Sequence, residues 1–429
     1  MFKKFLFISK ANLGGDLAFQ LVNEGHSVIF YSPKIKREKD IYKGFFRKVH
    51  NWRKYIKWAD VIVFDDEFYG LAPERLRRNG KFVIGGTRYT KKLEEQRDFG
   101  QSELAKFGIT TLPRKKFDDY ESAIRFIRNK PDRYVFKPTG EKQSGAKDLI
   151  IIGHKKDGSD LIEFLKKNKK IYYKKAPEFI LQKFVAGVEI AVGAFFNGVD
   201  FIYPINVNFE HKRFFHGDLG PMTGETGTLM FWDSGENYIF KKTLAKFRDK
   251  LKKVGYIEYI DLNCIVNKNG IYPLEFTSRF GYPTIQIQLE GIKDKLGKWL
   301  YMLATKQKFN LKTKAGFQMG VVIFTPPALS EKNRDVEEVY RGLAISFKGG
   351  QKKNGVHIGD VYNDSGVWRL AGISGWNLII TGSGKTVKKA REIVYRRVNN
   401  IKIPYMFYRE DIGQKWFRER ACLKKWGYF

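Results

Sequence analysis

Asp261-Leu262-Asn263 and Leu274-Glu275-Phe276-Thr277-Ser278-Arg279, joined through the turn Asn267-Lys268-Asn269-Gly270, are the stretches on which the reading of this chain depends. A polar turn between two apolar runs predicts a β-hairpin. Side chains alternate along a strand, so Asp261 and Asn263 share one face, and Glu275, Thr277 and Arg279 share a face of the partner. The hairpin can thus gather two carboxylates, neutral oxygens and one guanidinium at one spot. Hard oxygen ligands suit Mg²⁺ bridging nucleotide phosphates, and an arginine beside them suits a phosphoryl group in transfer. A polar face turned to solvent would carry the same residues, and the hairpin alone does not choose between the two.

Working outward, Phe179 to Val185 reads as a strand that runs into a loop, with Gly187 and Glu189 just beyond. A strand that stops exposes its backbone amide and carbonyl, which can read the edge of adenine, and a nearby carboxylate can hold ribose hydroxyls. Upstream, Lys137 ends a buried-looking strand and opens the loop Pro138 to Lys147, which contains Gly140 and Gly145. Flexible glycine backbone plus lysine is what a phosphate-covering flap needs. The order of these pieces (lysine and glycine loop, hinge strand, acidic hairpin with arginine) is more specific than any one of them.

The chain predicts an α/β and α+β multidomain protein. Over residues 1–90, Phe5 to Ile8, Ser27 to Tyr31, Val61 to Phe64 and Phe82 to Ile84 read as strands, with a helix from Gly15 to Glu24. Buried strands alternating with helices imply a parallel sheet and a Rossmann-like N-terminal lobe. The loop ending in Gly14-Gly15 stands where amides and a helix dipole can receive an anion; a tight turn explains the glycines equally well. Residues 91–312 read as a second domain, with a nucleotide-covering part near 110–180. It opens with helices from Lys91 to Phe107 and from Asp119 to Asn129. Residues 313–429 read as a small mixed α/β domain containing apolar strands Phe317 to Phe324 and Trp376 to Ile380. Thr381-Gly382-Ser383-Gly384-Lys385-Thr386 imitates a phosphate loop, but Ile379 stands where its leading glycine is required, so a strand-to-helix turn is expected.

Composition narrows the class. The 429 residues are 43% hydrophobic, a globular proportion, and Lys plus Arg outnumber Asp plus Glu by 79 to 46, a net charge of +33. Such a surface attracts nucleic acid or anionic metabolites. The lysines are spread through almost every block of ten and form no basic tail, which disfavours a nucleic-acid partner. Cys264 and Cys422 cannot build a disulfide framework or a four-ligand zinc site, and they suit a reducing compartment. No apolar run approaches a membrane span, and the N-terminal apolar run is too short for a signal peptide. A cytoplasmic protein without membrane contact is expected.

Longer stretches bring in a family. Glu210-His211-Lys212-Arg213, then Gly217-Asp218-Leu219-Gly220-Pro221-Met222-Thr223-Gly224, resembles the Asp-His-Lys-Arg and Gly-Pro-Asn-Thr-Gly-Gly signature of the phosphoribosylamine–glycine ligases, which are ATP-grasp enzymes. Glu275 to Pro283 with Gln286 is similar to that family's Glu-Phe-Asn-x-Arg-Phe-Gly-Asp-Pro-Glu-x-Gln segment. Gly320-Val321-Val322, Thr386 to Arg397 and Arg409 to Gly413 resemble its small last domain. The resemblance implies an ATP-grasp domain between the two others. It also implies ATP-dependent joining of glycine to phosphoribosylamine through an acyl phosphate, in purine biosynthesis. The partners implied are ATP, an amino acid and a phosphorylated amine, with Mg²⁺ or Mn²⁺. Lys137 and Gly145 would grip the phosphates, Gln182, Lys183 and Val185 would line adenine, and Glu189 would hold ribose. Glu275 would be the principal metal ligand, joined by Asp261, Asn263 and Thr277, and Arg279 would neutralise the transferring group. Gly14, Gly15, Glu210, His211, Lys212 and Arg213 would contact substrate. So would Gly220, Pro221, Thr223, Gly224, Pro283 and Gln286.

The departures fall mostly in the substrate segments. Thr277 replaces a metal-binding Asn, Gln182 replaces a Glu, and Glu210 replaces an Asp. Met222 and Glu225 alter the Asn-Thr-Gly-Gly loop, and Tyr282 and Thr284 replace the acids of the Asp-Pro-Glu turn. Asp16-Leu17-Ala18 follows Gly14-Gly15 in place of Arg-Glu-His. Two other readings therefore stay open: a ligase for a different acid and amine, and a nucleotide- or nucleic-acid-binding descendant without turnover. The presence of Lys137, Glu275 and Arg279 together speaks against the second.

Overall fold

The computed structural model describes residues 2–139, 149–326, 328, 338–350 and 354–429, with residues 171–174 and 350 described by backbone alone. Of the expected flap from Pro138 to Lys147, residues 140–147, Gly145 among them, lie outside the described residues.

Five short apolar runs form a parallel sheet: β1 (Lys4–Ile8), β2 (Ser27–Tyr31), β3 (Arg47–Val49), β4 (Val61–Phe64) and β5 (Val83–Ile84). Their order is β3-β2-β1-β4-β5. Helices α1 (Gly15–Asn23) and α2 (Ala72–Arg78) carry the chain between strands, and Phe5, Phe7, Leu17 and Val63 are fully buried. This is the expected Rossmann-like lobe. The strand order reverses between β1 and β4, so the loops at their carboxyl ends border the crevice where such lobes take ligands.

The single helix expected from Lys91 is two. Helix α3 (Arg88–Glu95) starts at a reciprocal Thr87–Thr90 capping box and ends at Gln96, whose φ of −105° and ψ of 88° break the helix before α4 (Arg97–Lys106). Gly100 of α4 lies against the end of α3, and a Cβ there would stand 2.8 Å from the Leu93 carbonyl oxygen.

Next come β6 (Arg114–Phe117), α5 (Tyr120–Asn129), β7 (Tyr134–Pro138), β8 (Ile151–Ile152), α6 (Ser159–Lys175) and β9 (Phe179–Lys183). The strands form an antiparallel sheet ordered β6-β9-β7-β8. It has its own small core, in which Phe117, Tyr120, Phe136 and Phe179 meet. Asp119 caps α5 by accepting from the Glu121 and Ser122 amides.

The largest sheet is antiparallel and collects β10 (Val188–Asn197), β11 (Phe201–Phe215), β12 (Leu219–Asp233), β13 (Ile257–Asn267) and β14 (Gly270–Thr277). Short helices α7 (Tyr238–Lys242) and α8 (Arg248–Lys253) precede β13, and α9 (Thr284–Gly291) and α10 (Leu296–Ala304) follow β14. β13 and β14 form the expected hairpin around Lys268-Asn269. The C-terminal part supplies β15 (Phe317–Phe324), β16 (Ser346–Phe347), β17 (Val356–Ile358), β18 (Val361–Asp364), β19 (Val367–Leu370), β20 (Trp376–Gly384), α11 (Val387–Asn399), β21 (Ile401–Lys402) and α12 (Trp416–Lys425). Three of these strands extend the large sheet, giving β14-β13-β10-β11-β12-β15-β20-β17 across residue 312. The imitation phosphate loop is the end of β20, and Thr386 caps α11 by accepting from the Lys389 amide. Both cysteines are free, and no helix among the described residues is long and apolar enough to cross a membrane.

Candidate active site

The hairpin register sets Asp261 opposite Thr277 and Asn263 opposite Glu275, so the four share one face. Asp261 and Asn263 are only 2% and 3% exposed, which excludes a solvent-facing role for that face. Neighbouring strands bring more charge. Asn263 donates to Glu210 of β11 at 2.9 Å. The Lys212 ammonium lies 2.9 Å from Glu189, 3.2 Å from Glu210 and 3.5 Å from Glu275. Burial opposes the charge on Lys212, but the three carboxylates outweigh it and hold its pKa well above the ordinary lysine value. Arg97, turned inward by the break at Gln96, adds a second cation 3.4 Å from Glu275.

Lys137 of β7 faces the same charges with the opposite result. Burial, then the cations Arg97 and Lys212, push its pKa down to about 8 despite Glu275 and Glu189. Among the described residues its ammonium is a desolvated cation without an ion-pair partner, and phosphate oxygens are what would complete it. Asp261 is the mirror case, raised to about 8 by burial and by Glu210. Its Oδ1 and the Oδ1 of Asn263 are buried without a hydrogen-bond partner. Orphaned hard oxygens beside Glu275 and Thr277 fit a divalent cation. No three His, Cys, Asp or Glu side chains among the described residues gather closely enough to hold a metal alone. The fit is therefore to Mg²⁺, which keeps water and phosphate oxygens for most of its positions.

Between the two antiparallel sheets lies a cavity of about 140 Å³. Leu112, Val135, Ile150, Ile152, Ile265 and Leu274 give it apolar walls. Lys137, Glu189, Lys212 and Glu275 stand at its polar side. Gln182, Lys183, Phe184 and Val185, where β9 stops, line it as the hinge reading required. The Lys183 ammonium itself turns to Asp132 at 2.6 Å. Apolar walls with a few convergent polar groups are the usual form of a small-molecule site.

Arg279 follows β14 and is ion-paired with Glu94 of α3 at 3.1 Å. Ser278 fixes that approach, its amide donating to Glu94 at 2.8 Å and its hydroxyl to the Thr90 carbonyl at 2.8 Å. Burial opposes the charge on Arg279, and Glu94, with Glu67 and Glu258 behind it, raises its pKa. Asp65, Asp66 and Glu67, at the carboxyl end of β4, come close to this region. Burial raises the pKa of each, and Glu67 lies 3.2 Å from the Ser278 hydroxyl.

Other expected contacts divide by face. Glu210 and Lys212 point into the charged network. His211 points the other way, 1% exposed, with both ring nitrogens unpartnered. Burial, with Lys415 and Arg409 nearby, pushes its pKa to about 3, so it is neutral. Arg213 donates to the Gly220 carbonyl at 2.6 Å, and Thr223 to the Lys212 carbonyl at 2.8 Å. Gly220, Pro221 and Gly224 are exposed at the start of β12, while their neighbour Met222 lines the pocket. Thr223 thus braces Lys212 from behind. The Gly14 amide donates to the buried Asp65 carboxylate, and a side chain on Gly15 would strike the Tyr42 ring. The anion expected at this loop is supplied by the protein itself. Pro283, cis after Tyr282, precedes α9, and Gln286 is 2% exposed with an unpartnered Oε1.

Sequence reasoning missed Glu94 and Arg97, which depend on a helix break that no periodicity announces. It also missed Asp65-Asp66-Glu67, whose place at the end of β4 beside the strand-order reversal could have marked them.

Residues 95–285 match the family model described as the phosphoribosylglycinamide synthetase ATP-grasp (A) domain. A phosphoribosylamine–glycine ligase of Lactococcus lactis is 24% identical over 344 residues, 78% of each chain. One from Streptococcus pneumoniae is 26% identical over 374 residues, 84% of each. In fold, the chain is similar to the phosphoribosylamine–glycine ligase of Thermotoga maritima, with a TM-score of 0.72 at 19% identity over 96% of this chain and all of that one. Biotin carboxylase of Campylobacter jejuni follows, with a TM-score of 0.66 at 10% identity over 99% and 96%. Residues 95–285 are therefore similar to the ATP-grasp domain of the phosphoribosylglycinamide synthetases, with a Rossmann-like lobe before them and strands after them that continue the main sheet.

Proposed function

We propose that this protein is an ATP-dependent carboxylate–amine ligase that joins glycine to phosphoribosylamine, giving glycinamide ribonucleotide, ADP and phosphate. The observation that carries the reading is the pocket between the two sheets. Among the described residues one buried lysine there has no ion-pair partner and buried hard oxygens have no hydrogen-bond partner, which suits a metal–nucleotide complex. In this reading Lys137 takes phosphate oxygens, Gln182 to Val185 and the apolar walls take adenine, and Glu189 takes ribose. Glu275, with Asp261, Asn263 and Thr277, would hold Mg²⁺, whose charge would offset that of the phosphates.

The chemistry asks the chain for positioning and charge rather than for a nucleophile. The glycine carboxylate attacks the γ-phosphorus and ADP leaves, giving an acyl phosphate. The amine nitrogen then attacks the acyl carbon, inorganic phosphate leaves, and the nitrogen loses a proton. Arg279, ion-paired with Glu94, would neutralise the charge in transfer.

One observation favours a second reading with a different amine. The N-terminal lobe brings Asp66 and Glu67 within the field of Arg279, and acidic groups there suit a cationic amine better than a phosphate ester. ADP release by the purified protein with Mg-ATP, glycine and phosphoribosylamine, run beside a panel of other acids and amines including diamines, tests both. Turnover confined to glycine with phosphoribosylamine supports the first; turnover with another pair replaces it with the second; no turnover with any pair overturns both.

A further inference from the structure

A larger cavity, of about 670 Å³, lies where α2 and α3 meet the end of α8. It shares no lining residue with the nucleotide pocket. Its volume is that of a small-ligand site rather than of an extended groove. Seven basic side chains line it, against the single carboxylate of Glu74.

Two of the seven are already employed. Arg77 donates to the Gly85 carbonyl at 2.8 Å and the Gly86 carbonyl at 2.7 Å, and Arg78 reaches Glu74 at 3.3 Å. The side-chain cations of Arg88, Lys92, Lys250, Lys253 and Lys306 form no ion pair within 4 Å among the described residues, although the Arg88 amide donates to Glu74 and Glu103 feels the charge of Lys250. Two of these ammonium groups are carried on ring faces in the wall, Lys250 at 4.7 Å from the Tyr89 centroid and Lys92 at 5.7 Å from that of Phe99. Ring faces hold cations in place without neutralising them. Like charges converging on one concavity repel one another, and an anion between them relieves that repulsion while the walls focus their field on it. A single phosphate brings up to about two negative charges, too few for five cations that have no ion-pair partner among the described residues.

We propose that this cavity is a second ligand site, for a small molecule carrying a chain of two or more phosphates. It is independent of the nucleotide pocket and of the ligase reading.

Calorimetric titration with inorganic tripolyphosphate tests it, with the nucleotide pocket first filled by a non-hydrolysable ATP analogue and Mg²⁺. The expected result is one further site in the unaltered protein, weakening as salt is raised from about 50 to 200 mM. Replacing two attracting charges with repelling ones, in Arg88→Glu combined with Lys253→Glu, should weaken it at least about ten-fold. The Lys137→Met protein should bind at this site unchanged. Melting curves verify that the double variant folds, and Lys306→Gln serves in its place if it does not. Absence of a site beyond the nucleotide pocket overturns the proposal, as does binding that ignores the cavity substitutions. So does capture of a single-stranded RNA oligonucleotide that tripolyphosphate cannot displace, since that would make the basic face a nucleic-acid surface.

Discussion

Lys137 and Lys212 enter one pocket from facing sheets, are both buried, and are left in opposite electrostatic conditions. Lys212 has three carboxylates within 3.5 Å and stays firmly charged. Lys137 has no carboxylate within 4 Å among the described residues and falls to about 8. The large sheet therefore arrives at the site with its charge already balanced, whereas the covering sheet arrives unbalanced. The difference separates structure from binding. Lys212 holds β10, β11 and β14 in register around the site, and Lys137 is the group whose charge a phosphate would complete.

The hardest blow to this contrast is Glu275→Gln, which takes a carboxylate from Lys212, Arg97 and the proposed metal seat together. We expect ATP turnover to drop by about 10²–10³-fold, the usual cost of losing one positioned charge in a site, with little change in melting temperature. Unaltered turnover would show that the balanced half plays no part in the reaction. Asp261→Ala should raise the Mg²⁺ concentration needed for half-maximal turnover by about 10- to 100-fold. An unchanged Mg²⁺ requirement would remove Asp261 from the metal set.

Protons sharpen the comparison further. Lys137 is lowered in the fold, so between about pH 8 and its unfolded value the unfolded chain binds the extra proton, and its contribution to stability rises with pH over that window. Phosphate beside it reverses the shift. Nucleotide binding near pH 8.5 should therefore take up a proton, of order 0.5, seen by calorimetry in buffers of differing ionisation enthalpy. Lys137→Met should abolish the uptake, and uptake that survives would assign it elsewhere. The smallest effect is expected from Thr277→Asn, where an amide oxygen replaces a hydroxyl, lowering the Mg²⁺ requirement about two- to five-fold.

The hairpin was legible in the sequence because alternation and turn chemistry are local, and its four polar residues indeed share a face. The same alternation separates His211 from Lys212, so a run of four consecutive residues could never have lined one substrate surface. Glu94 and Arg97 were not legible, because their entry depends on the break between two helices at Gln96, inside a stretch that reads as one helix. The Gly14-Gly15 loop misled for a related reason: the anion its geometry invites comes from Asp65, fifty-one positions along the chain.

The eight strands that pass uninterrupted across residue 312 bear on how this chain can be handled. β12 has β11 on one side and β15 on the other. A chain ending before β15 would bare a row of amides and carbonyls along β12, beside the fully buried Leu229 and Met230. Such an edge recruits strands from other molecules. The last hundred or so residues therefore do for the catalytic half what a cap does for a repeat array: they keep it soluble by finishing it.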